Sequence, residues 1–267
     1  MLSLLLSALV VSRAVAVEKI SDAKDLIYFA DRVNRKHYYE GETVYLENDI
    51  VFTEELSRSF LPIGKDYLHA FQGTFDGRGH KISGLIINAT TEYAGLFGNC
   101  ENCVIKNVVI DKSCKMDLPG AEKGTVTRIG GIAGQLYAKK NPFFVESCVN
   151  MMNIAYKNRA DSSIAMGGIG GGIFSYLDNC FIVNCINIGQ LSFRKEGELT
   201  SITMGGILGG SGVMFQEGFA YVRDCINYGD IKYNGPEIIF TYFGGIVADD
   251  GWCEMKNCTN YGTIYEN

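Results

Sequence analysis

Gly167-Gly168-Ile169 and, further along, Cys185-Ile186-Asn187 form a pair of short signals that the chain repeats. The first returns as Gly130-Gly131-Ile132, Gly205-Gly206-Ile207 and Gly244-Gly245-Ile246, so the intervals are 37, 38 and 39 residues. The second returns as Cys148-Val149-Asn150, Cys225-Ile226-Asn227 and Cys258-Thr259-Asn260. A period of this length kept by two signals at once is the mark of a solenoid. Each repeat is a supersecondary unit that buries its apolar face only against its neighbours.

Each repeat holds three short runs of β-branched or aromatic residues separated by Gly, Asn or Asp, which read as strands joined by turns. Three strands per turn predict an all-β fold, a right-handed parallel β-helix with a three-sided coil. Successive coils lie about 4.8 Å apart, so equivalent side chains stack in columns along the axis. Extended backwards, the alignment places Ala94-Gly95-Leu96-Phe97-Gly98 and Val104 to Val108 in an earlier repeat, with His80 to Leu85 one repeat before that. The predicted inward columns are then Ile82, Ile105, Val145, Ile182, Val222 and Met255, and beside them Leu85, Val108, Cys148, Cys185, Cys225 and Cys258. A third runs Ile154, Leu191, Ile231 and Ile264. Longer repeats accommodate their extra residues as inserted loops.

The ends read differently from the middle. Residues 2–11 are apolar and precede Ala14-Val15-Ala16, the pattern of a signal peptide over 1–16 and of a secreted or cell-surface protein. Membrane contact is expected only through an uncleaved signal. Residues 17–43 are read as a capping helix and lead-in, and 44–267 as the β-helix. Ser21 is the predicted N-cap of a helix over 21–36, with Leu26, Phe29, Ala30 and Val33 on its apolar face. Such a helix covers the open end of the first coil, whose strand edges otherwise invite pairing with other chains. No matching cap is visible after Ile264, which leaves two readings: self-association through that edge, or a longer β-helix.

A net charge of −6 without a long basic run argues against a nucleic-acid partner, because phosphate binding needs concentrated cationic surface. No cofactor is indicated. The 9 cysteines suggest disulfides in an exported protein, but four of them share one inward column, where parallel side chains bridge poorly and a free thiol acts as a small hydrophobe. Cys180 and Cys253 are read as a second inward column with Cys103. A local bridge from Cys100 to Cys103 or Cys114 stays open. Zinc is disfavoured, since Cys100-x-x-Cys103 has no second such pair and the chain has only 3 histidines.

The string Phe71-Gln72-Gly73-Thr74-Phe75-Asp76-Gly77-Arg78-Gly79-His80, then Gly95-Leu96-Phe97-Gly98, and then the Gly-Gly-Ile and Asn-Cys-x-Asn-x-Gly-x-Ile repeats together resemble GLUG-motif proteins. The resemblance spans about residues 18–267 and includes Leu61-Pro62-Ile63-Gly64. It implies a parallel β-helix in exported or surface proteins associated with adhesion, with no catalytic residues to carry over. Met152 departs from the pattern, standing where later repeats have Gly189, Gly229 and Gly262.

Most chemistry-bearing residues have structural readings. Asn150, Asn187, Asn227 and Asn260 form a corner column whose amides can bond the turn backbone and one another. Asp76 to His80 reads as turn chemistry, with glycine supplying positive φ. Asn88 is a candidate glycosylation site in a turn, whereas Asn257-Cys258-Thr259 lies in a strand and is expected to be inaccessible.

The functional signal is sought in insertions that follow each Gly-Gly-Ile strand, at Gln135 to Phe144, Ile173 to Asn179, Ser211 to Ala220 and Asp249 to Trp252. They carry Tyr137 with Phe144, Phe174 with Tyr176, Phe215 with Phe219, and the only tryptophan, Trp252. Stacked loops on one solenoid face are the usual place for binding, and rings beside Asp249 and Asp250 suit a glycan or a cell-surface protein. The competing reading is that the rings fold back to cover the coil. The expected function is non-enzymatic binding or adhesion. The alternatives are a polysaccharide lyase or glycoside hydrolase using Asp249 and Asp250, and a structural spacer.

Overall fold

A computed structural model describes residues 17–88, 92–118, 127–158, 163–176, 179–196, 201–213, 219–235, 240–249 and 251–266. Residues 1–16, expected to be a signal peptide, and Phe215 and Asp250 lie outside them. The chain winds as a parallel β-helix, and one coil shows its course. Phe143–Glu146 lies in sheet 1, Val149–Asn150 in sheet 2, Asn153–Asn158 in sheet 3, Ser163–Gly167 in sheet 4 and Gly170–Ser175 in sheet 5. Cys180–Val183 then pairs in parallel with Phe143–Glu146 and opens the next coil. The five sheets contain 8, 7, 6, 5 and 5 strands.

Five segments per coil replace the three expected from sequence, because two of the three sides are each bent once. Between sheets 1 and 2 the bend is a residue in the left-handed region, with φ of 55° at Asn107, 54° at Ser147, 53° at Asn184, 54° at Asp224 and 55° at Asn257. A cysteine follows four of these bends and closes them. The Cys185 thiol donates to Val183 O at 3.3 Å and to Val145 O of the preceding coil at 3.5 Å, and Cys148, Cys225 and Cys258 repeat this arrangement. Between sheets 4 and 5 the bend is the Gly-Gly pair.

The two repeated signals turn out to be halves of one contact. A Cβ on Gly131, Gly168, Gly206 or Gly245 would stand 2.5, 2.2, 2.3 or 2.5 Å from the Cγ of Asn150, Asn187, Asn227 or Asn260. Only glycine leaves room for the amide. The amides form the ladder foreseen from sequence: Asn150 Nδ2 donates to Asn187 Oδ1 at 2.9 Å, Asn187 to Asn227 at 2.8 Å and Asn227 to Asn260 at 2.8 Å. Each also holds its own corner, as where Asn187 Nδ2 donates to Gly189 O at 2.9 Å. Met152 does not disturb this geometry, since its N–H and C=O bond Asn150 just as those of Gly229 bond Asn227.

Apolar columns fill the interior. Ile105, Val145, Ile182, Val222 and Met255 stack as expected. Ile82 does not join them: Phe75 pairs with Ile105, and Ile82 lies between Ile50 and Ile110 in sheet 2. The cause is the turn at Asp76 to His80, where Arg78 and Gly79 both adopt positive φ, at 52° and 79°. That corner holds more residues than the later ones, so the expected register slips. Leu85 accordingly lies beside Cys114 rather than Val108, its C=O accepting from Lys115 N.

Helix α1, Ala23–Asn34, is capped by Asp22 rather than Ser21, with Asp22 Oδ1 accepting from Lys24 N at 2.8 Å and Asp25 N at 3.0 Å. It is spliced between Val17–Ile20 and Thr43–Leu46, which pair with each other, and its Phe29 packs against Phe71 and Phe75 of the first coils. At the other end, Met255 and Ile264 of the last described coil are 44% and 40% exposed.

All nine cysteines are free thiols, and seven of them are buried. Cys100 lies against Cys103 without a bridge, and Cys180 faces Ala220, which faces Cys253. Burial raises the Cys100 and Cys185 thiols well above their ordinary pKa and that of Cys114 to about 11, which suppresses the reactive thiolate. In a thiol titration of the native protein only the half-buried Cys253 and Cys258 are expected to react promptly. Rapid labelling of Cys185 in the folded state would contradict this arrangement.

Candidate functional site

The Gly-Gly bend brings sheets 4 and 5 together closely. A Cβ on Gly134, Gly171 or Gly209 would lie 2.7, 2.4 or 2.6 Å from the backbone nitrogen of Ala94, Ile129 or Met166 in the adjoining sheet. The outward residues of the two sheets then line a common groove that runs along the axis. On sheet 5 the floor is a single register column, Asn99, Gln135, Gly172, Gly210 and Asp249. On sheet 4 the wall is Tyr93, Arg128, Ala165, Thr203 and Tyr242.

One end of the groove is a cleft of about 290 Å³ walled by Tyr67, Tyr93, Tyr137, Phe174 and Tyr176, with Asn99, Arg128 and Gln135 supplying polar atoms. A depression of about 220 Å³ continues past Arg128 and Phe174 over Gly172 and Gly210 to Asp249. Absence of side chains at these glycines is what admits the arginine, since a Cβ on Gly172 would meet Arg128 Cδ at 2.5 Å. The guanidinium carbon stands 4.3 Å from the Phe174 ring centroid, a cation–π contact. Tyr137 and Tyr176 meet edge to face at 5.6 Å.

The polar groups of the cleft differ in how well they are satisfied. Asn99 donates to Asp66 O at 3.3 Å. Gln135 is 5% exposed and donates through Nε2 to Leu136 O at 3.2 Å, while its Oε1 has no partner. A buried acceptor left unbonded costs roughly 1–3 kcal/mol, so such an atom marks a place where a donor from outside is missing. Burial raises the Tyr93 hydroxyl to about 12, with the Glu92 charge adding to it, and burial together with Tyr176 also raises Tyr137. Both phenols therefore stay protonated at ordinary pH.

Of the residues singled out by sequence, Tyr137, Phe174 and Tyr176 come together in this cleft and Asp249 closes the far end of its floor. Tyr137, Phe174 and Asp249 sit on strands, Ala133–Ala138, Gly170–Ser175 and Val247–Asp249, rather than on inserted loops, as does Phe144 on Phe143–Glu146, whereas Tyr176 follows its strand in a bend, as the insertion reading expects. Phe144 belongs to another surface, the outside of sheet 1, where it stacks on Phe181 at 4.8 Å and Phe181 stacks on Tyr221 at 5.1 Å. Phe219 and Trp252 lie beside that stack, 6.1 Å apart. The expected single aromatic corner is thus two faces. Asn88 is exposed, and so, contrary to expectation, is Asn257, whose Nδ2 donates to Asp224 Oδ1 at 3.0 Å.

Sequence reasoning passed over Tyr67, Tyr93, Asn99, Arg128 and Gln135. A signal for two of them existed. In the two coils that follow, the Arg128 column carries Ala165 and Thr203 and the Gln135 column carries Gly172 and Gly210, so both are large polar residues at the edge of a run of small ones. Among the described residues no cluster of three or more His, Cys, Asp or Glu could hold a metal, and no helix is long and apolar enough to cross a membrane.

No protein-family model matches the sequence, and no curated protein matches it significantly. Among solved structures, the chain is similar to the crystal structure of a candidate immunoglobulin A1 protease from Bacteroides ovatus, with 19% identity and a TM-score of 0.43. The match covers 93% of this chain and 79% of the other.

Proposed function

We propose that this protein is a non-enzymatic binding protein, secreted or displayed at the cell surface, whose groove between sheets 4 and 5 takes a glycan chain. One observation carries the reading: the buried, unbonded Gln135 Oε1 at the floor of a cleft walled by tyrosines and Phe174. Aromatic faces cover the apolar side of a sugar ring while amides and phenols meet its hydroxyls, the usual division of labour in a ligand cleft. A groove open along several coils suits an extended chain better than a small molecule. The resemblance to GLUG-motif proteins and the apolar segment at residues 2–11 support an exported, adhesive role.

The test is a glycan array on the purified protein, with reducing-end release measured in parallel. Tyr137→Ala is expected to weaken the captured glycan about tenfold through loss of one ring contact and the donors it positions. Trp252→Ala, on the sheet 1 face, is expected to leave capture unchanged. Release of reducing ends that vanishes in Asp249→Ala would replace this reading with a glycoside-cleaving enzyme. Capture lost in Trp252→Ala but kept in Tyr137→Ala would move the site to sheet 1.

A further inference from the structure

Among the described residues Arg128 is the only cation lining the cleft, and none of them forms a salt bridge with it. Its side chain crosses Gly172 and lays the guanidinium against Phe174, so packing fixes its position rather than a salt bridge. Among the described residues no carboxylate lies within ion-pair distance of it, although Glu92 is near enough for its charge to be felt. A half-buried guanidinium has lost part of its hydration, and an arginine fork held rigidly by stacking is preorganised for two parallel bonds to a carboxylate. In the same cleft Gln135, the register partner of the Gly172 that Arg128 crosses, offers an acceptor with no donor. Among the described residues, then, the cleft presents one cation without an anion and one acceptor without a donor.

We infer that the groove selects acidic glycans, binding a carboxylate-bearing sugar with its carboxylate on Arg128 and a neighbouring hydroxyl donating to Gln135 Oε1. The inference rests on the glycan reading above and narrows it. Tyr137 and Phe174 flank both groups, so one ring can lie on the aromatic wall while its two polar substituents reach the floor. Hexuronic and sialic acids both present a carboxylate next to hydroxyls, and the structure commits to that shared chemistry. Sulfated sugars carry a tetrahedral anion in place of the planar one that matches the fork.

The deciding measurement compares uronate and sialoside oligosaccharides with their carboxyl methyl esters, and with sulfated counterparts, on one array and then by titration calorimetry. Wild-type protein is expected to prefer the free acids over the esters by about tenfold or more, and the preference should weaken with added salt. Arg128→Gln is expected to bring acids and esters to the same affinity, with Arg128→Lys intermediate because it keeps the charge but not the fork. Gln135→Leu is expected to weaken acid and ester alike while leaving their ratio unchanged. Melting curves for each variant confirm that binding is lost from folded protein. Equal capture of acids and esters, or a preference that survives Arg128→Gln in a folded variant, overturns the acidic selectivity while Tyr137-dependent capture leaves the glycan reading standing. A preference for sulfated over carboxylated sugars overturns the carboxylate assignment. No capture of any glycan overturns both.

Discussion

Gly206→Ala is expected to leave little folded protein, with a loss of more than about 3 kcal/mol, the upper end of what overpacking usually costs. The added Cβ would lie 2.1 Å from Gly245 O and 2.3 Å from Asn227 Cγ. Neither obstacle can yield. One is the backbone of the next coil and the other an amide bonded on both sides, so relief requires parting two coils or breaking the ladder. Gly210→Ala is the matched comparison, four residues on in the same coil, where the new Cβ meets Thr203 Oγ1 at 3.4 Å and Asp249 Cβ at 3.7 Å, ordinary contacts. It should change stability by no more than about 0.5 kcal/mol. Denaturant unfolding followed by circular dichroism separates the two, and similar midpoints would mean that the Gly-Asn contact is absent.

The second large effect is expected at Asn187, fully buried in the middle of the amide ladder. Asn187→Ala removes the acceptor for Asn150 Nδ2 and the donors to Asn227 Oδ1 and Gly189 O, all away from water. At roughly 1–3 kcal/mol for each polar group left unbonded, and with Asn227 Oδ1 still served by Gly229 N at 3.1 Å, the loss should be about 3–5 kcal/mol. Asn260→Ala breaks the same kind of bond at the exposed end of the ladder, where water can replace it, and should cost about 1 kcal/mol or less. Equal losses at the two positions would show that the ladder contributes through packing alone. A double-mutant cycle of Asn187 with Asn227 should show coupling, since the two share one bond.

These two positions also show why the repeat was readable. A solenoid places identical contacts at every period, so each chemical requirement is written in the sequence several times over, and the paired Gly-Gly and Cys-x-Asn signals reveal the coil before any contact is known. The free, buried cysteine column followed from the same argument. What failed was local. The turn at Asp76 to His80 holds extra residues, and nothing in one sequence says whether a longer corner is absorbed as a turn or shifts the register, so the repeat alignment puts Ile82 one strand away from its true column.

The binding surface was legible only in part. Tyr137, Phe174 and Tyr176 drew attention as rings, but their companions Arg128 and Gln135 lie seven residues apart across the Gly-Gly bend and looked like ordinary polar residues of two separate strands. The sequence alone determined that the chain coils, how long a coil is and which residues stack inside it, because periodicity and burial are properties of each repeat. Only the tertiary structure decided that sheets 4 and 5 face a shared groove and that Phe144, Phe219 and Trp252 face elsewhere. That outcome depends on the angle at which two flat strands meet at a pair of glycines. A residue with no side chain leaves that angle to whatever packs against it.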